Sequence, residues 1–387
     1  MLLYPRIRKS PYFDAARRHG VAVYSVYNHM YIPRHYGDPV SEYWHLLNGV
    51  TLADVGVERA VEISGPDALR LTNMLVTRDL HKCEVGQCKY VFLTTPEGGI
   101  VNDPVLLRLE DQRFWLTLAD SDALLWVKGV AYGSDLRVDI SEPDMGPVQV
   151  QGPKSKDVMV DLFGESILEI PYYFVRPYTL DGMHVFISRT GYSAELGYEI
   201  YLYDATRHGT QLWERLIEAG APHDLAVSGV CHIRRIEAGI LAYGADMSLD
   251  TNPFEVGMGY PWMVDLHQPD DFIGRDALAR IAEEGPRRRL VGVQIDGGAL
   301  GSYSDGSMVD AYSVRRGDRD IGRVTSACHS PRLEKNIGLA LLATDDADQG
   351  TELEVVIDGV SRAGVVAPTP FVDTQREVPR QTLHAAG

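Results

Sequence analysis

Three stretches of this 387-residue chain set carboxylates, aromatics and arginines at spacings that can do chemistry. In Gly98-Gly-Ile-Val-Asn-Asp103-Pro a carboxylate follows a glycine turn on the returning arm of a hairpin, where it can orient an amine donor or accept a proton. A plain turn or strand-edge acid carries the same signature. In Arg189-Thr-Gly-Tyr192-Ser-Ala-Glu195-Leu-Gly-Tyr198-Glu199-Ile-Tyr201, a terminal strand puts Glu199 and Tyr201 on one face and Tyr198 and Ile200 on the other. A carboxylate beside an aromatic is an edge-and-face receptor for a heterocycle, and also a common surface pair. The third stretch is Ile233-Arg-Arg235-Ile-Glu237, followed by Tyr243-Gly-Ala-Asp246 and Asn252-Pro-Phe-Glu255. An arginine on a largely apolar helix needs an anion, supplied either internally by Glu237 or Asp246 or by a ligand. His29 and His35, without a nearby carboxylate pair, are weak metal ligands and read as structural or polar-lining residues. Gly257-Met-Gly259 lacks the third glycine and preceding strand of a dinucleotide loop. The chain is therefore expected to need no metal, flavin or nicotinamide.

The elements that would position these groups are legible in outline. Tyr90-Val-Phe-Leu-Thr-Thr, the turn Pro96-Glu-Gly-Gly99 and Ile100 to Leu109 read as a β-hairpin, and Phe114-Trp-Leu-Thr-Leu-Ala as a further strand. Ser121 to Ala131, Leu212 to Ala219 and Val230 to Ala242 read as helices. An internal echo stands out. Ala60-Val-Glu-Ile-Ser runs into Gly65-Pro66 and a helical pattern, and Pro147-Val-Gln-Val-Gln runs into Gly152-Pro153 and another. Two related α+β lobes account for the echo. After Gly285-Pro286-Arg-Arg-Arg289 short strand-like runs (LVGVQI, YSVRRG, IGLALL, LEVVI) alternate with Gly/Asp turns, which predicts an all-β domain. The expected division is 1–285 and 286–387, with the last dozen residues frayed.

Composition narrows the function. A formal net charge of −17 argues against a nucleic-acid or anionic-membrane partner, since both need a basic surface. The opening MLLYPRIRKSPYF interrupts any apolar core of a secretion signal, and no apolar run is long enough to span a bilayer. Cys83, Cys88, Cys231 and Cys328 fit neither a zinc pair nor a disulfide framework, and are expected as reduced thiols in a cytoplasmic protein.

Together the clusters resemble successive signatures of the glycine cleavage T-protein (aminomethyltransferase) family: YVFLTTPEGGIVNDP, RTGYSAELGYEIY, IRRIEAGILAYGADM, NPFEVGMGY, DFIGRDAL and GRVTSACHSPRLEKNIGLAL, in order over nearly the whole chain. The resemblance implies an α+β, three-lobed fold, with two related α+β lobes and a C-terminal β-barrel-like domain around a central opening. It also implies a one-carbon transferase that uses tetrahydrofolate. Carried over by position, Asp103 matches the acid beside the reactive N5 region of the folate and Glu199 the carboxylate on the pterin edge. Tyr173 and Tyr192 match aromatics packed on the cofactor, Arg235 the basic residue reaching its glutamate tail, and Tyr90 an aromatic lining the entry to the reaction centre.

Departures from the family pattern point to one branch. Asn102-Asp103 replaces the usual Asp-Asp, and Tyr192-Ser-Ala-Glu195 replaces Tyr-Thr-Gly-Glu. Val26-Tyr-Asn-His-Met-Tyr-Ile-Pro33, Gly86-Gln-Cys88 and Ile63-Ser-Gly-Pro-Asp67 resemble the dimethylsulfoniopropionate demethylase branch. There a methyl group moves from a sulfonium to N5. Tyr27, Tyr31, Tyr90 and Tyr201 are the expected aromatic box for a cationic methyl group, each contact worth roughly 0.5–2 kcal/mol. Pro171-Tyr-Tyr-Phe174 lacks the tryptophan expected in that branch's box, which leaves another methylated onium or an aryl methyl ether open as donor. The alternative within the family is an aminomethyltransferase acting on a lipoyl carrier protein. A folate-binding protein of the same fold without turnover is the alternative of a different class. A homodimer is compatible with the sequence.

Overall fold

The computed structural model describes residues 4, 6–301 and 312–383, and three apolar clusters organise it into three lobes. In the first lobe, Asp139–Ser141, Ala60–Ser64, Arg113–Thr117, Val105–Glu110 and Cys88–Tyr90 form, in that spatial order, an antiparallel sheet. Alternation along its strands gives it two apolar faces. Ile63, Leu106, Phe114 and Leu116 pack under the helices Ala68–Leu75 and Ala123–Tyr132. Leu107, Leu109 and Trp115 face the second lobe and meet Met145, Val175 and Tyr201.

The second lobe is a six-stranded sheet in the order Val175–Leu180, Met183–Ser188, Gly197–Tyr203, Met145–Gln151, Val50–Asp54, Leu225–Val227. Only the last strand runs parallel to its neighbour. Val50, Leu52, Val148, Val150, Tyr198 and Ile200 pack beneath the helices Ser155–Phe163 and Ala205–Gly220. The residues between them on the same strands, Thr51, Gln149, Gln151, Glu199 and Tyr201, project from the other face. The predicted division of the Glu199 strand is therefore the observed one. The echo is also realised. Gly65 at φ +110° and Gly152 at φ +115° each turn a strand into a helix. A Cβ at Gly152 would lie 2.5 Å from the Gly49 carbonyl oxygen, so glycine is required there.

The third lobe is a closed barrel in which Arg288–Ile295, Lys335–Ala343, Arg319–Ser330, Tyr312–Arg316, Glu352–Ile357 and Val360–Ala367 are successive neighbours. Among the described residues no helix is long and apolar enough to cross a membrane.

Three local expectations change. The hairpin is divided: Leu93–Thr94 pairs with Ile100–Asn102 and Cys88–Tyr90 with Val105–Glu110, in separate sheets. The break falls at Asp103-Pro104, where proline has no N–H for a ladder and its carbonyl accepts from Val91 N at 3.1 Å. The helix expected over 230–242 spans only His232–Glu237, because Gly239 at φ +62° turns the chain out of it. The C-terminal stretch is held where fraying was expected. Glu377–Arg380 is helical, and Arg189 Nη2 donates to the carbonyls of Pro379 and Gln381 at 3.0 and 3.3 Å. Residues 384–387 lie outside the described residues.

One buried ion pair clasps the barrel to the rest. Arg235 Nη1 meets Asp246 Oδ2 at 2.6 Å, and their side chains are 2% and 0% exposed. Arg235 Nη2 donates to Ser326 Oγ at 2.7 Å, while Asp246 Oδ1 accepts from the Thr325 and Ser326 hydroxyls at 2.6 and 2.7 Å. Removing one partner strands the other charge out of water. Asp246→Ala should cost about 3–5 kcal/mol in chemical denaturation, whereas Arg235→Met with Asp246→Leu should recover most of that loss. Equal stability of the two variants would show that the charge balance does not hold the clasp.

Candidate active site

Asp103 occupies the gap in the divided hairpin. Tyr90, ending the adjacent strand, donates its hydroxyl to Asp103 Oδ2 at 2.8 Å. Asp103 Oδ1 is buried with no hydrogen-bond partner among the described residues. Burial lifts the carboxyl from its ordinary 3.8 to about 7, against the bond from Tyr90, and Asp246 adds to the rise. The neighbouring Asn102 is wholly buried and acts as a strut. Its Nδ2 donates to Ala119 O at 3.0 Å and Ser121 Oγ at 2.7 Å, and its Oδ1 accepts from Ala119 N at 3.1 Å. An aspartate could not donate those bonds, so asparagine here fixes the 119–121 loop beside the acid.

Three further tyrosines surround this point. The ring of Tyr27, on the first strand of the hairpin Val23–Tyr27/Met30–His35, is enclosed near Asp103 and Tyr192; burial first, then Asp103, raises its pKa well above the usual value. The Tyr192 hydroxyl donates to Leu241 O at 2.7 Å, and the Tyr243 hydroxyl donates to Ile100 O at 3.1 Å. Tyr243 and Asn102 were not singled out as site residues from the sequence. Burial also raises the Tyr243 pKa, so Tyr27 and Tyr243 keep their protons.

Glu199 lies on the polar face of the six-stranded sheet, 4% exposed. Gln149 Nε2 donates to its Oε1 at 2.8 Å, the Tyr201 hydroxyl donates to its Oε2 at 2.8 Å, and the Thr190 hydroxyl donates to the same oxygen. With two acceptor sites per oxygen, Oε1 retains one. Tyr173, at φ +63°, packs with Tyr201 and Cys88 beside this carboxylate. A cavity of about 50 Å³ extends along the polar face past Thr51, Gln149, Gln151 and Tyr192 to His35 and Cys231.

Asp103, Tyr90, Tyr27 and Tyr192 thus gather at one place, with Glu199 and Tyr173 next to it. Three expected site residues are elsewhere. Arg235 is the internal clasp of the barrel, so its guanidinium is not directed at a ligand's glutamate tail. Tyr31 pairs with Val26 in the N-terminal hairpin, on the face opposite Tyr27, which pairs with Met30. Its ring lies against Phe13 and Tyr24 at 5.7 and 6.2 Å and its hydroxyl meets the Tyr4 backbone. Tyr201 is fully buried, with its ring against Trp115 at 6.3 Å and its hydroxyl on Glu199. It holds that carboxylate and offers no open face to a donor. His29 is exposed and meets Asp122 at 3.3 Å, and His35 lines the cavity. Among the described residues no group of three His, Cys, Asp or Glu side chains could hold a metal ion.

Glu58 is the carboxylate that sequence reading missed. It follows Val57 in the turn that leaves the strand Val50–Asp54, and it interacts electrostatically with both Glu199 and Asp103. Its only sequence signal is a glutamate in an otherwise apolar run, Val55-Gly-Val57-Glu58, which has no distinguishing motif.

Residues 12–268 match the family described as the GCVT N-terminal domain, and residues 288–373 match the glycine cleavage T-protein C-terminal barrel domain. The chain is 36% identical over 352 residues to the dimethylsulfoniopropionate demethylase DmdA of Ruegeria pomeroyi, covering 90% of this chain and 93% of that protein. It is 33% identical over 351 residues to an aminomethyltransferase of Symbiobacterium thermophilum, covering 88% and 91%. The fold superimposes on the crystal structure of the glycine cleavage system aminomethyltransferase T from Bartonella henselae with a TM-score of 0.82 at 21% identity, over 95% of this chain and 99% of that one.

The raised Asp103 pKa has a stability signature. The folded protein holds this proton more tightly than the unfolded chain, so the contribution is complete below about pH 4 and is lost as pH rises through 7. Asp103→Asn imitates the protonated acid and escapes that loss. The variant should melt close to wild type near pH 5 and higher near pH 8, by roughly 1–2 °C for each kcal/mol of relief. A melting difference that does not change with pH would place the Asp103 pKa at its ordinary value.

Proposed function

Because this chain belongs to the glycine cleavage T-protein (aminomethyltransferase) family, we propose that it moves a methyl group from a small onium donor, best matched by dimethylsulfoniopropionate, to tetrahydrofolate. It is a tetrahydrofolate-dependent transferase. Tetrahydrofolate supplies N5, the nucleophilic nitrogen that accepts the one-carbon unit. The residues present fit it. A pterin edge carries ring and exocyclic N–H donors. Glu199 Oε1, with an acceptor site left, and the orphaned Asp103 Oδ1 are buried acceptors in need of such donors. We assign Glu199 to the pterin edge, Tyr173 and Tyr192 to its faces, and Asp103 to orienting the amine at the reacting nitrogen.

The observation that carries the donor reading is the neutral aromatic enclosure around Asp103. Tyr27 and Tyr90, beside Asp103, supply neutral rings for a cationic methyl group. A sulfonium departs as a neutral thioether, so no residue need act as general acid; the side chains orient the donor and keep water out. The 36% identity to a dimethylsulfoniopropionate demethylase agrees with this. The 33% identity to an aminomethyltransferase favours, as second reading, transfer of an aminomethyl group from a lipoyl carrier. We place the functional division at 1–285 for the folate-binding lobes and 286–387 for the barrel, and assign the protein, with its four free thiols, to the cytoplasm.

Tetrahydrofolate should raise the melting temperature of the whole protein. Glu199→Gln should weaken its binding roughly tenfold, whereas Glu195→Gln should not, because Glu195 is already bonded to Arg234 at 2.7 Å. Equal losses would mean that the pterin edge lies elsewhere. Incubated with tetrahydrofolate and a panel of donors, the enzyme should give 5-methyltetrahydrofolate from dimethylsulfoniopropionate, read by mass spectrometry. Product from a neutral aryl methyl ether alone would overturn the onium reading.

A further inference from the structure

Glu58 lies where the two α+β lobes are stitched together. The turn Val55–Arg59 leaves the strand Val50–Asp54 of the six-stranded sheet and enters Ala60–Ser64 of the five-stranded one. It is tightly fixed. Glu58 N donates to Val55 O at 2.9 Å, Arg59 N to Val57 O at 2.9 Å, and Leu118 N to Arg59 O at 2.8 Å. On one side of Glu58, Val57 packs with Met30, Ile32 and Tyr27. On the other, Ala60 packs with Trp115 and Tyr201. The carboxylate is thereby held between the Tyr27 wall and the Glu199–Tyr201 edge.

Among the described residues the Glu58 side chain has no hydrogen bond and no ion pair. Neither Asp103 nor Glu199 has an ion pair there. The adjacent cation is turned away: Arg59 pairs with Glu142, which also takes Arg8 at 2.8 Å. The titratable groups that act on Glu58 or feel it are Glu199, Asp103, Tyr27 and Tyr201, all acids. Burial, and then Glu199 and Asp103, raise its pKa well above the ordinary value. Three carboxyl groups with no basic partner therefore face one enclosure. The buried carboxylates Asp246, Glu237 and Glu255 are instead each met by an arginine.

We propose that Glu58 is the counter-charge that selects a cationic donor over a neutral molecule of the same shape. The inference rests on the onium reading of the function and adds a specificity-determining residue to it. The tyrosine faces accept a methyl-bearing cation but also tolerate a branched alkyl group. Discrimination between the two requires a charge: a cation entering the enclosure favours the ionised form of a carboxyl beside it, and the titratable groups there are all acids.

The test compares dimethylsulfoniopropionate with 4-methylpentanoate, in which a neutral CH replaces the sulfonium sulfur, by calorimetric titration of the full-length protein. Wild type should prefer the sulfonium roughly ten- to a hundredfold. Glu58→Gln, nearly isosteric, should abolish that preference while leaving 4-methylpentanoate binding unchanged, and Glu58→Asp should retain part of it. The inference is overturned if the preference survives in Glu58→Gln, if both ligands weaken equally, or if wild type binds neither. Turnover separates this from the function. Charge-selective binding lost in Glu58→Gln, with no methyl group reaching folate in wild type, would leave the counter-charge standing and sink the demethylase. Demethylation of dimethylsulfoniopropionate with unchanged KM in Glu58→Gln would do the reverse.

Discussion

Taking a carboxylate out of water costs several kcal/mol unless a partner replaces the lost solvation, and among the described residues several buried carboxylates meet that constraint with an arginine while the acids at the centre have none. Asp246 is met by Arg235, Glu237 by Arg332 and the Tyr43 and Ser330 hydroxyls, Glu195 by Arg234, and Glu255 by Arg288. These pairs bind the segment after the second lobe to the barrel and to the second lobe. Asp103 and Glu58 have no cation among the described residues, and Glu199 has only neutral donors. The surrounding structure holds the unbalanced acids in place. Asn102 braces the loop beside Asp103, and the packed Val57 and Ala60 fix the turn that carries Glu58.

The same constraint explains why the second lobe has one polar face. Its outer face is filled by Val148, Val150, Leu52 and Ile200 under two helices. The inner face carries Thr51, Gln149, Gln151 and Glu199, whose side chains satisfy one another or line the cavity. At one end Tyr201 leaves this row and joins Trp115 in the apolar seam between lobes. The seam packs beside the row, and the row keeps Glu199 hydrogen-bonded. Preorganised groups in an enclosed site act more strongly than in solvent, since no water must be displaced when charge moves.

Much of the fold was legible because it rests on local rules. Strand alternation placed Glu199 opposite Tyr198, the glycines after Ser64 and Gln151 marked strand-to-helix turns, and short β-runs after Arg289 announced the barrel. The site was legible only in part. Asp103 sits at the break of the divided hairpin, close along the chain to Tyr90, so local sequence brings them together. Tyr27 and Tyr31 look equivalent in the string, but the chain reverses between them and sends them to opposite faces. The helix-borne Arg235 had two candidate classes of anion, and which one reaches it depends on Ser326 and Asp246, distant in sequence.

The sequence by itself determined the family, the α+β lobes with their barrel, and the residue types at the centre. These follow from periodicity, turn chemistry and ordered motifs, all of which act over a few residues. Only the tertiary structure decided which acids are compensated. Asp246 acquires its arginine and Glu58 does not, although both are single carboxylates in ordinary surroundings along the chain. The reason is physical. Charge compensation and desolvation act through space over several ångströms, between lobes that meet only when the chain is folded, and no local pattern encodes that meeting.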